Sequence, residues 1–411
     1  MTYNARLGSA SMFDAGLRNI ADRQARLASL QDNLTSGKKV VRPSDDPTAS
    51  AQAERALTRL SRIQADQRAL DTQRNSISIA ESTLGDVTAA LQSFRELAVN
   101  AGNGAFTNAD RRTLVGQLSG LRDQIFTLSN RTDTNGMPLF GALGSALAPF
   151  VNQTSPAGYT FQGLPGQLAS NAVSIASALD GDSAFMFQSQ RDGVYNVTLS
   201  GTPGPSKLSS GNVTVTDPTQ VTGNTYGITF TGVDTTTTPG STTVTYDVVD
   251  TVSGATTSGT ATYVDGHAFM VNEMPGLALS FTGTPAVGEQ AQVQPQDSIF
   301  SVLDSAIRDL GNANNNTSAI QAVGQALHNI DLGLNRVSAV RGQAGNLLNR
   351  ADTISGNQET RTIQLEADRS RAEDLDMVKG ISDFQTQQTG YQAALQSYAQ
   401  VQKLSLFNFI S

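Results

Sequence analysis

The sequence contains no cysteine and no tryptophan among its 411 residues, and it has only two histidines. Without cysteine the chain has no disulfide, no thiol nucleophile and no cysteine-ligated zinc. Neither His267 nor His328 lies in a His-Glu-x-x-His or similar ligand spacing, and no serine lies in a Gly-x-Ser-x-Gly turn. We therefore expect no cofactor, no metal ion and no enzymatic activity.

Positive charge and long apolar runs are also scarce. The net charge is -8 and the isoelectric point about 4.9, with no dense run of Lys and Arg, so nucleic acid is not an expected partner. No stretch approaches the roughly 18 apolar residues of a membrane helix, so membrane insertion is not expected. Residues Met1 to Leu17 lack a basic region followed by an apolar core, which predicts export, if any, without a cleaved signal peptide.

What the sequence does have is heptad periodicity at both ends. Apolar residues recur every seventh position from Phe13 to Leu34, which predicts an amphipathic helix ending near Ser36-Gly37. The prolines of Arg42-Pro-Ser-Asp-Asp-Pro47 then interrupt the pattern. We interpret this segment as a connector, in which the Asp pair starts the next helix by capping it rather than by binding metal. The connector residues are Pro43, Asp45, Asp46 and Pro47.

The heptad resumes from about residue 48 to residue 101, in the row Ile63, Leu70, Ile77, Leu84, Leu91 and Ala98. A helix of that length spans on the order of 75 Å. Apolar spacings of three and four between Leu114 and Leu128 predict a helix that folds back onto it. Helical periodicity returns at Ser298, continues to about residue 356, and is present again from Ile381 to the C-terminus.

Residues 151–294 have a different character. Charged residues thin out, Thr, Gly, Ser and Pro increase, and short alternating runs predict antiparallel strands. The predicted strands are Tyr195–Leu199, Val213–Val215, Tyr226–Phe230, Val244–Val249 and Ala261–Val264, with a loop over Thr235 to Gly240 at the tip.

These patterns predict an α+β multidomain fold: a long coiled-coil-like helical rod made from the N- and C-terminal segments, with an inserted, mainly antiparallel β domain. An amphipathic helix cannot bury its own stripe, so the terminal segments are expected to pack on each other. The predicted domains are terminal helices at 1–44 and 376–411, a helical rod at 45–150 and 295–375, and a β-rich outer domain at 151–294.

Apolar residues at the two extreme ends are more numerous than one two-helix seam needs. Surplus apolar surface of this kind indicates burial between subunits, so the terminal helices are expected to be flexible in the monomer and ordered by assembly. The predicted subunit-packing residues are Phe13, Leu17, Ile20, Leu27, Leu34, Phe384, Tyr391, Leu395, Tyr398, Val401, Leu404, Leu406, Phe407, Phe409 and Ile410.

Several motifs resemble the flagellin superfamily, and within it the hook-filament junction family. Residues Leu27 to Pro47 combine a heptad helix, a Ser-Gly turn and an Asp-Asp-Pro connector, and Thr134-Asn-Gly-Met-Pro-Leu-Phe140 is similar to a core shared across the superfamily. At the C-terminus, Glu373-Asp-Leu-Asp376 and the run from Tyr391 to Ile410 again resemble the junction family. The resemblance covers roughly residues 1–140 and 298–411.

The resemblance implies a structural, non-enzymatic flagellar component that joins the hook to the filament and lies outside the cell. The partners it implies are hook-associated protein one, flagellin, further copies of the chain in a ring, and an export chaperone on the C-terminal helix. The alternatives are a flagellin or minor filament subunit, and a stalk presenting a glycan- or host-binding β domain. Pro43, Pro47 and the Phe-Asn-Phe-Ile ending argue against a flagellin.

Overall fold

The computed structural model of the chain describes residues 9–104, 106–144, 147–154, 157–201, 206, 208–238 and 240–410. The side chains of residues 9–13, 108, 157, 237, 238 and 401–410 fall outside that description. Contacts divide the chain into two compact units. The terminal unit contains the chain up to Arg68 and again from Ser355, and the central unit runs from Ala69 to Ile354.

Long helices dominate both ends of the sequence. The two longest, α2 and α6, have 55 and 58 residues, and each contributes residues to both units. Helices α3 and α5 begin at capping boxes, in which the N-cap side chain of Thr107 or Ser298 accepts a hydrogen bond from the third residue of its helix. The helices are α1 Ser9–Ser36, α2 Pro47–Ala101, α3 Asn108–Ser129, α4 Gly181–Phe185, α5 Ile299–Gly311, α6 Asn316–Glu373 and α7 Met377–Ile410.

In the central unit, α2 and α6 run antiparallel. Ion pairs join Arg95 to Asp331 at 3.3 Å and Arg74 to Asp352 at 3.0 Å, so residue numbers fall along α6 as they rise along α2. Helix α3 folds back as predicted, because the Arg131 guanidinium just after its end lies 3.8 Å from the Asp86 carboxylate. The apolar rows of these helices are inaccessible to solvent and form one core, which includes Ile77, Leu84, Leu91, Phe94, Ile125, Val337 and Ala344.

An aromatic cluster closes this core where the β-rich segment leaves the helices. Phe300 of α5 contacts Phe150, Tyr159 and Phe185, with ring centroids between 5.1 and 5.8 Å apart. Phe150 and Tyr159 belong to the hairpin of β1 and β2, so this hairpin packs on the helices. The β1–β2 hairpin therefore shares the hydrophobic core of the helices.

A second core lies between residues 195 and 293. The strands are β1 Phe150–Thr154, β2 Ala157–Phe161, β3 Tyr195–Ser200, β4 Ser209–Ser210, β5 Thr214–Val215, β6 Tyr226–Thr238, β7 Ser241–Asp250, β8 Thr256–Val264, β9 Ala268–Val271, β10 Leu277–Thr282 and β11 Gln290–Pro295. The larger sheet has the order β3-β11-β6-β7-β8, and the smaller has β4-β10-β5 with β9 also paired to β10; every pairing is antiparallel. Apolar residues from both sheets, such as Phe230, Tyr246 and Phe281, fill the space between them.

The larger sheet is attached to α6 by side-chain amides. The Val197 N–H donates to Gln325 Oε1 at 2.9 Å, and Asn329 Nδ2 donates to the Tyr195 carbonyl at 2.9 Å. Both amides are buried, so they satisfy backbone groups along the outer edge of β3 that water cannot reach.

The predicted fold class is confirmed, with long terminal helices and an inserted antiparallel β domain. The predicted loop over Thr235 to Gly240 is wrong in part. Strand β6 continues to Thr238, and Asp234 still pairs with Thr243 of β7, because the Thr-rich sequence suits an exposed strand. The division into three domains stays a prediction.

Candidate assembly site

Helices α1 and α7 form an antiparallel pair within the terminal unit. Near one end of the pair, a Cβ added to Gly16 would lie 3.3 Å from the Tyr398 ring. Near the other, a Cβ added to Gly380 would lie 3.2 Å from Leu34 Cδ2. Glycine at these two positions lets the helices approach closely while the aromatic and leucine side chains lie across the partner.

The predicted packing residues whose side chains the structure describes lie on this pair and are incompletely covered. Leu17 is 54% exposed and Leu395 is 41% exposed. Six others are half-buried: Ile20, Leu27, Leu34, Phe384, Tyr391 and Tyr398. Phe13, Val401, Leu404, Leu406, Phe407, Phe409 and Ile410 belong to the same two helices, but their side chains lie outside the described residues. Among the described side chains of α1 and α7, no apolar one is fully buried.

Sequence reasoning missed part of this apolar surface. Met377 and Val378 open α7 and are 45% and 82% exposed. The sequence pattern does not predict them, because they adjoin Asp374 and Asp376 in a polar segment. Ile381, one turn later, is 47% exposed and extends the same surface.

The two connectors between the helices are bonded to each other. The Lys39 N–H donates to the Glu373 carbonyl at 2.8 Å, and the Leu375 N–H donates to the Gly37 carbonyl at 2.9 Å. The Lys38 ammonium also forms an ion pair with the Glu373 carboxylate. Gly37 has a φ of 70°, the left-handed conformation that ends a helix and that glycine adopts without strain. The connector after α1 is thereby tied to the connector before α7.

Asp46 lies at the N-cap of α2. Its carboxylate accepts hydrogen bonds from the N–H groups of Thr48 and Ala49, both at 3.0 Å, and from the Thr48 hydroxyl at 2.7 Å. The hydrogen bonds from the Ala49 backbone and the Thr48 side chain lower the pKa of Asp46 below its ordinary value. Pro47 is the first helical residue, a position where its missing N–H costs nothing.

Asp45 closes the turn that precedes this cap. Its carboxylate accepts hydrogen bonds from the N–H groups of Val41 at 3.1 Å and Arg42 at 2.8 Å, across the turn that contains Pro43. The turn places Val40 in a small buried cluster with Ala49, Ala53 and Ala372. The Asp pair therefore shapes the connector, with one carboxylate on the turn and the other on the helix.

The part of the chain that the structure describes offers little for other chemistry. It contains no group of three or more His, Asp and Glu side chains placed to hold a metal ion. His267 is exposed in the turn after β8, and His328 is half-buried on α6. Of the described helices, none is long and apolar enough to cross a membrane.

Long helices at both ends of the chain, paired so that an apolar stripe stays incompletely covered, are typical of helical subunits that assemble with one another. The model of the bacterial flagellin N-terminal helical region matches residues 10–143, and that of the C-terminal helical region matches residues 327–410. Together they cover more than half of the sequence. The chain belongs to the flagellin superfamily, which confirms the resemblance seen in its motifs.

Within that superfamily the chain is similar over almost its whole length to a hook-associated protein. Flagellar hook-associated protein 3 of Escherichia coli strain K12 is 25% identical over 410 residues, 98% of each chain. The protein of the same name from Salmonella typhimurium is 37% identical over 155 residues, which are 36% of this chain and 47% of that one. The crystal structure of a flagellar junction protein from Legionella pneumophila has the same fold, with a TM-score of 0.58 and 23% identity over 74% of this chain and 99% of that one.

Proposed function

We propose that this chain is an adaptor of the bacterial flagellum that joins the hook to the flagellin filament. The observation that carries the proposal is the half-covered apolar surface of the α1–α7 pair, in a chain similar end to end to a flagellar hook-associated protein 3. Its partners are then hook-associated protein one on the hook side, flagellin on the filament side, and further copies of itself in a ring. The role is mechanical and involves no catalysis.

The proposed mechanism is completion of a hydrophobic core by neighbouring subunits. Two helices cover each other along one seam only, and the side chains at its margins stay in contact with water. Each large apolar side chain that a neighbour covers contributes roughly 1.5–3 kcal/mol when its burial is complete. The bonded connectors, Lys39 to Glu373 and Leu375 to Gly37, would present α1 and α7 to those neighbours as one body.

The proposal includes location outside the cell, reached without a cleaved signal peptide. A helix with an exposed apolar stripe, such as α7, needs protection before assembly, so an export chaperone covering it inside the cell is part of the proposal. The exposed Met377, Val378 and Ile381 belong to the surface such a chaperone would cover.

Electron microscopy of cells lacking this chain, with flagellin measured in the medium, tests the proposal. We expect hooks without filaments and flagellin released into the medium. Filaments of normal number and length would contradict the adaptor role and would instead favour a minor filament subunit.

Complementation of those cells tests the assembly surface itself. We expect the double variant Leu17→Asp with Leu395→Asp to fold but not to restore filaments, because both side chains would carry charge into an apolar contact. The matched control is Val252→Asp with Val264→Asp, two exposed apolar residues of the β-rich segment. Restoration by both double variants would exclude the terminal pair as the assembly surface.

A further inference from the structure

Three exposed leucines lie close together on the central unit, outside the α1–α7 pair. Leu143, Leu164 and Leu168, the leucine cluster, are 44%, 57% and 49% exposed. The Leu143 N–H donates to the Leu164 carbonyl at 3.0 Å, and a Cβ at Gly166 would lie 3.1 Å from Leu143 Cδ1. Two separate loop segments thus meet and carry their leucines at one place on the surface.

The backbone beneath the leucine cluster is closely packed. The Ala142 N–H donates to the Leu179 carbonyl at 3.1 Å, and the Leu179 N–H donates to the Leu139 carbonyl at 2.9 Å. A Cβ on Gly144 would lie only 2.6 Å from the backbone nitrogen of Leu164, closer than any side chain tolerates. The leucines are therefore held outward by a rigid loop junction and are not the ends of a loose loop.

Ala142, which directly precedes Leu143, has a strained backbone. Its φ is 55°, and it is the one non-glycine residue with positive φ in the part of the chain that the structure describes. Alanine in the left-handed region costs free energy that glycine would not, and such outliers cluster at functional sites. The strained residue, Ala142, thus directly precedes Leu143, whose apolar side chain is exposed.

The segment of the chain that carries the leucine cluster contains no charged residue. Residues 134–179 contain no Asp, Glu, Lys or Arg. Residues 69–354 as a whole contain 12 Lys and Arg and 22 Asp and Glu, a net charge of -10. Two copies of so acidic a unit repel one another over most of their surfaces. A neutral apolar patch is where a like-charged copy can approach, and uncharged, apolar residues form the centre of stable interfaces.

We propose that the leucine cluster is a contact surface for a second copy of this chain. The inference rests on the proposed function, in which several copies stand side by side in a ring, and it assigns one lateral contact to the central unit. The surface is distinct from the α1–α7 pair, which belongs to the terminal unit.

Photocrosslinking in assembled flagella tests this directly. The amino acid p-benzoylphenylalanine is introduced at position 164 of the full-length chain, or at the control position 252 in the turn between β7 and β8, where Val252 is 72% exposed. We expect irradiation to join two copies of the chain from position 164 and not from position 252. A product with a different flagellar protein, or no product from incorporated chain, would overturn the inference.

A matched pair of charge variants gives a second readout. Leu164→Glu with Leu168→Glu should lower the amount of chain incorporated per flagellum by about tenfold or more, the loss expected when a contact worth about 1.4 kcal/mol disappears. Val252→Glu with Val287→Glu adds the same charge at exposed apolar positions of the β-rich segment and should leave incorporation unchanged. Equal incorporation of both variants would contradict the inference.

These outcomes separate the two proposals. If the unmodified chain is absent from flagella, the adaptor role fails and the lateral contact fails with it. If the chain is incorporated but position 164 forms no product with a second copy, the adaptor role stands and the lateral contact alone is wrong. Circular dichroism melts of the purified charge variants show whether a loss of incorporation comes from misfolding. If a charge variant does not fold, the photocrosslinking result alone tests the lateral contact.

Discussion

Helices α1 and α2 carry the same seven-residue apolar row, yet the two rows differ in burial. In α2 the residues Ile77, Leu84 and Leu91 are inaccessible to solvent. In α1 the corresponding spacing places Ile20, Leu27 and Leu34, and each is only half-buried. The difference lies in the number of partners, because α2 packs against α6, α3 and an aromatic cluster, whereas α1 packs against α7.

Periodicity therefore predicts a helix and the face that it buries, but it does not predict how much of that face the same chain covers. In the central unit the chain itself covers the apolar row of α2, so the unit holds a core of its own. In the terminal pair, neighbours are missing on either side of the seam. Stability in the first region is a property of the monomer, and in the second we expect it to be a property of the assembly.

The largest effect should come from equal leucine truncations in the two rows. Leu84→Ala removes a fully buried side chain and should lower the free energy of unfolding by about 2–5 kcal/mol. Leu27→Ala removes a half-buried side chain and should lower it by less than about 1 kcal/mol. Urea denaturation of the purified chain followed by circular dichroism measures both. Equal losses would mean that the terminal pair already has a complete core in the monomer.

A smaller effect is expected where the β-rich segment attaches to α6. Gln325 is 4% exposed; its side chain accepts from the Val197 N–H and donates to the Ser210 hydroxyl at 2.9 Å. Gln325→Ala leaves the Val197 N–H without its partner and should cost about 1–3 kcal/mol. Gln343→Ala, an exposed position of the same helix, is the control. A Gln325→Ala chain as stable as the control would show that water replaces the amide.

The connector should show a still smaller effect that depends on pH. The pKa of Asp46 is lowered in the folded chain, so its capping contribution is present above the ordinary carboxyl pKa of about 4 and is lost as pH falls through the lowered value. Asp46→Asn keeps an acceptor at the N-cap and should therefore match the native chain near pH 7 while losing this acid dependence. Asp46→Ala should be less stable at both pH values. Thermal melts at pH 7 and pH 3 compare the three chains, and an unchanged acid dependence in Asp46→Asn would contradict the assignment.

The sequence was most informative about the helices and least informative about contacts between distant residues. Long heptads predicted both ends of α2 and the C-terminal end of α1 to within about two residues, because many turns report the same period. Strand β11 was not predicted, since it has only two buried apolar residues, Ala291 and Val293, and so short an alternation gives a weak signal. Strand β10 is buried from Leu277 to Leu279, so alternation is confined to its second half.

The same difference between local patterns and distant contacts holds for the candidate site. The connector prolines and the Asp pair were visible in the sequence, because proline and N-cap residues act on their immediate neighbours. The ion pair between Lys38 and Glu373 joins residues 335 positions apart, and no local sequence pattern predicts it. The strained Ala142 was equally invisible, because alanine is not a residue that indicates a left-handed turn.

The smallest change in stability is expected at Ala142, where stability and assembly can be measured on the same variant. Ala142→Gly removes the penalty for positive φ at the cost of a more flexible unfolded chain, and should raise the free energy of unfolding by roughly 0.5–1 kcal/mol. Ala176→Gly, a buried alanine without positive φ, should lower it instead. Because glycine adopts the same φ, Leu143 keeps its place, and the stabilised Ala142→Gly chain should incorporate into flagella as well as the native chain. A variant that gains stability but incorporates less well would mean that the alanine side chain itself takes part in the contact between copies.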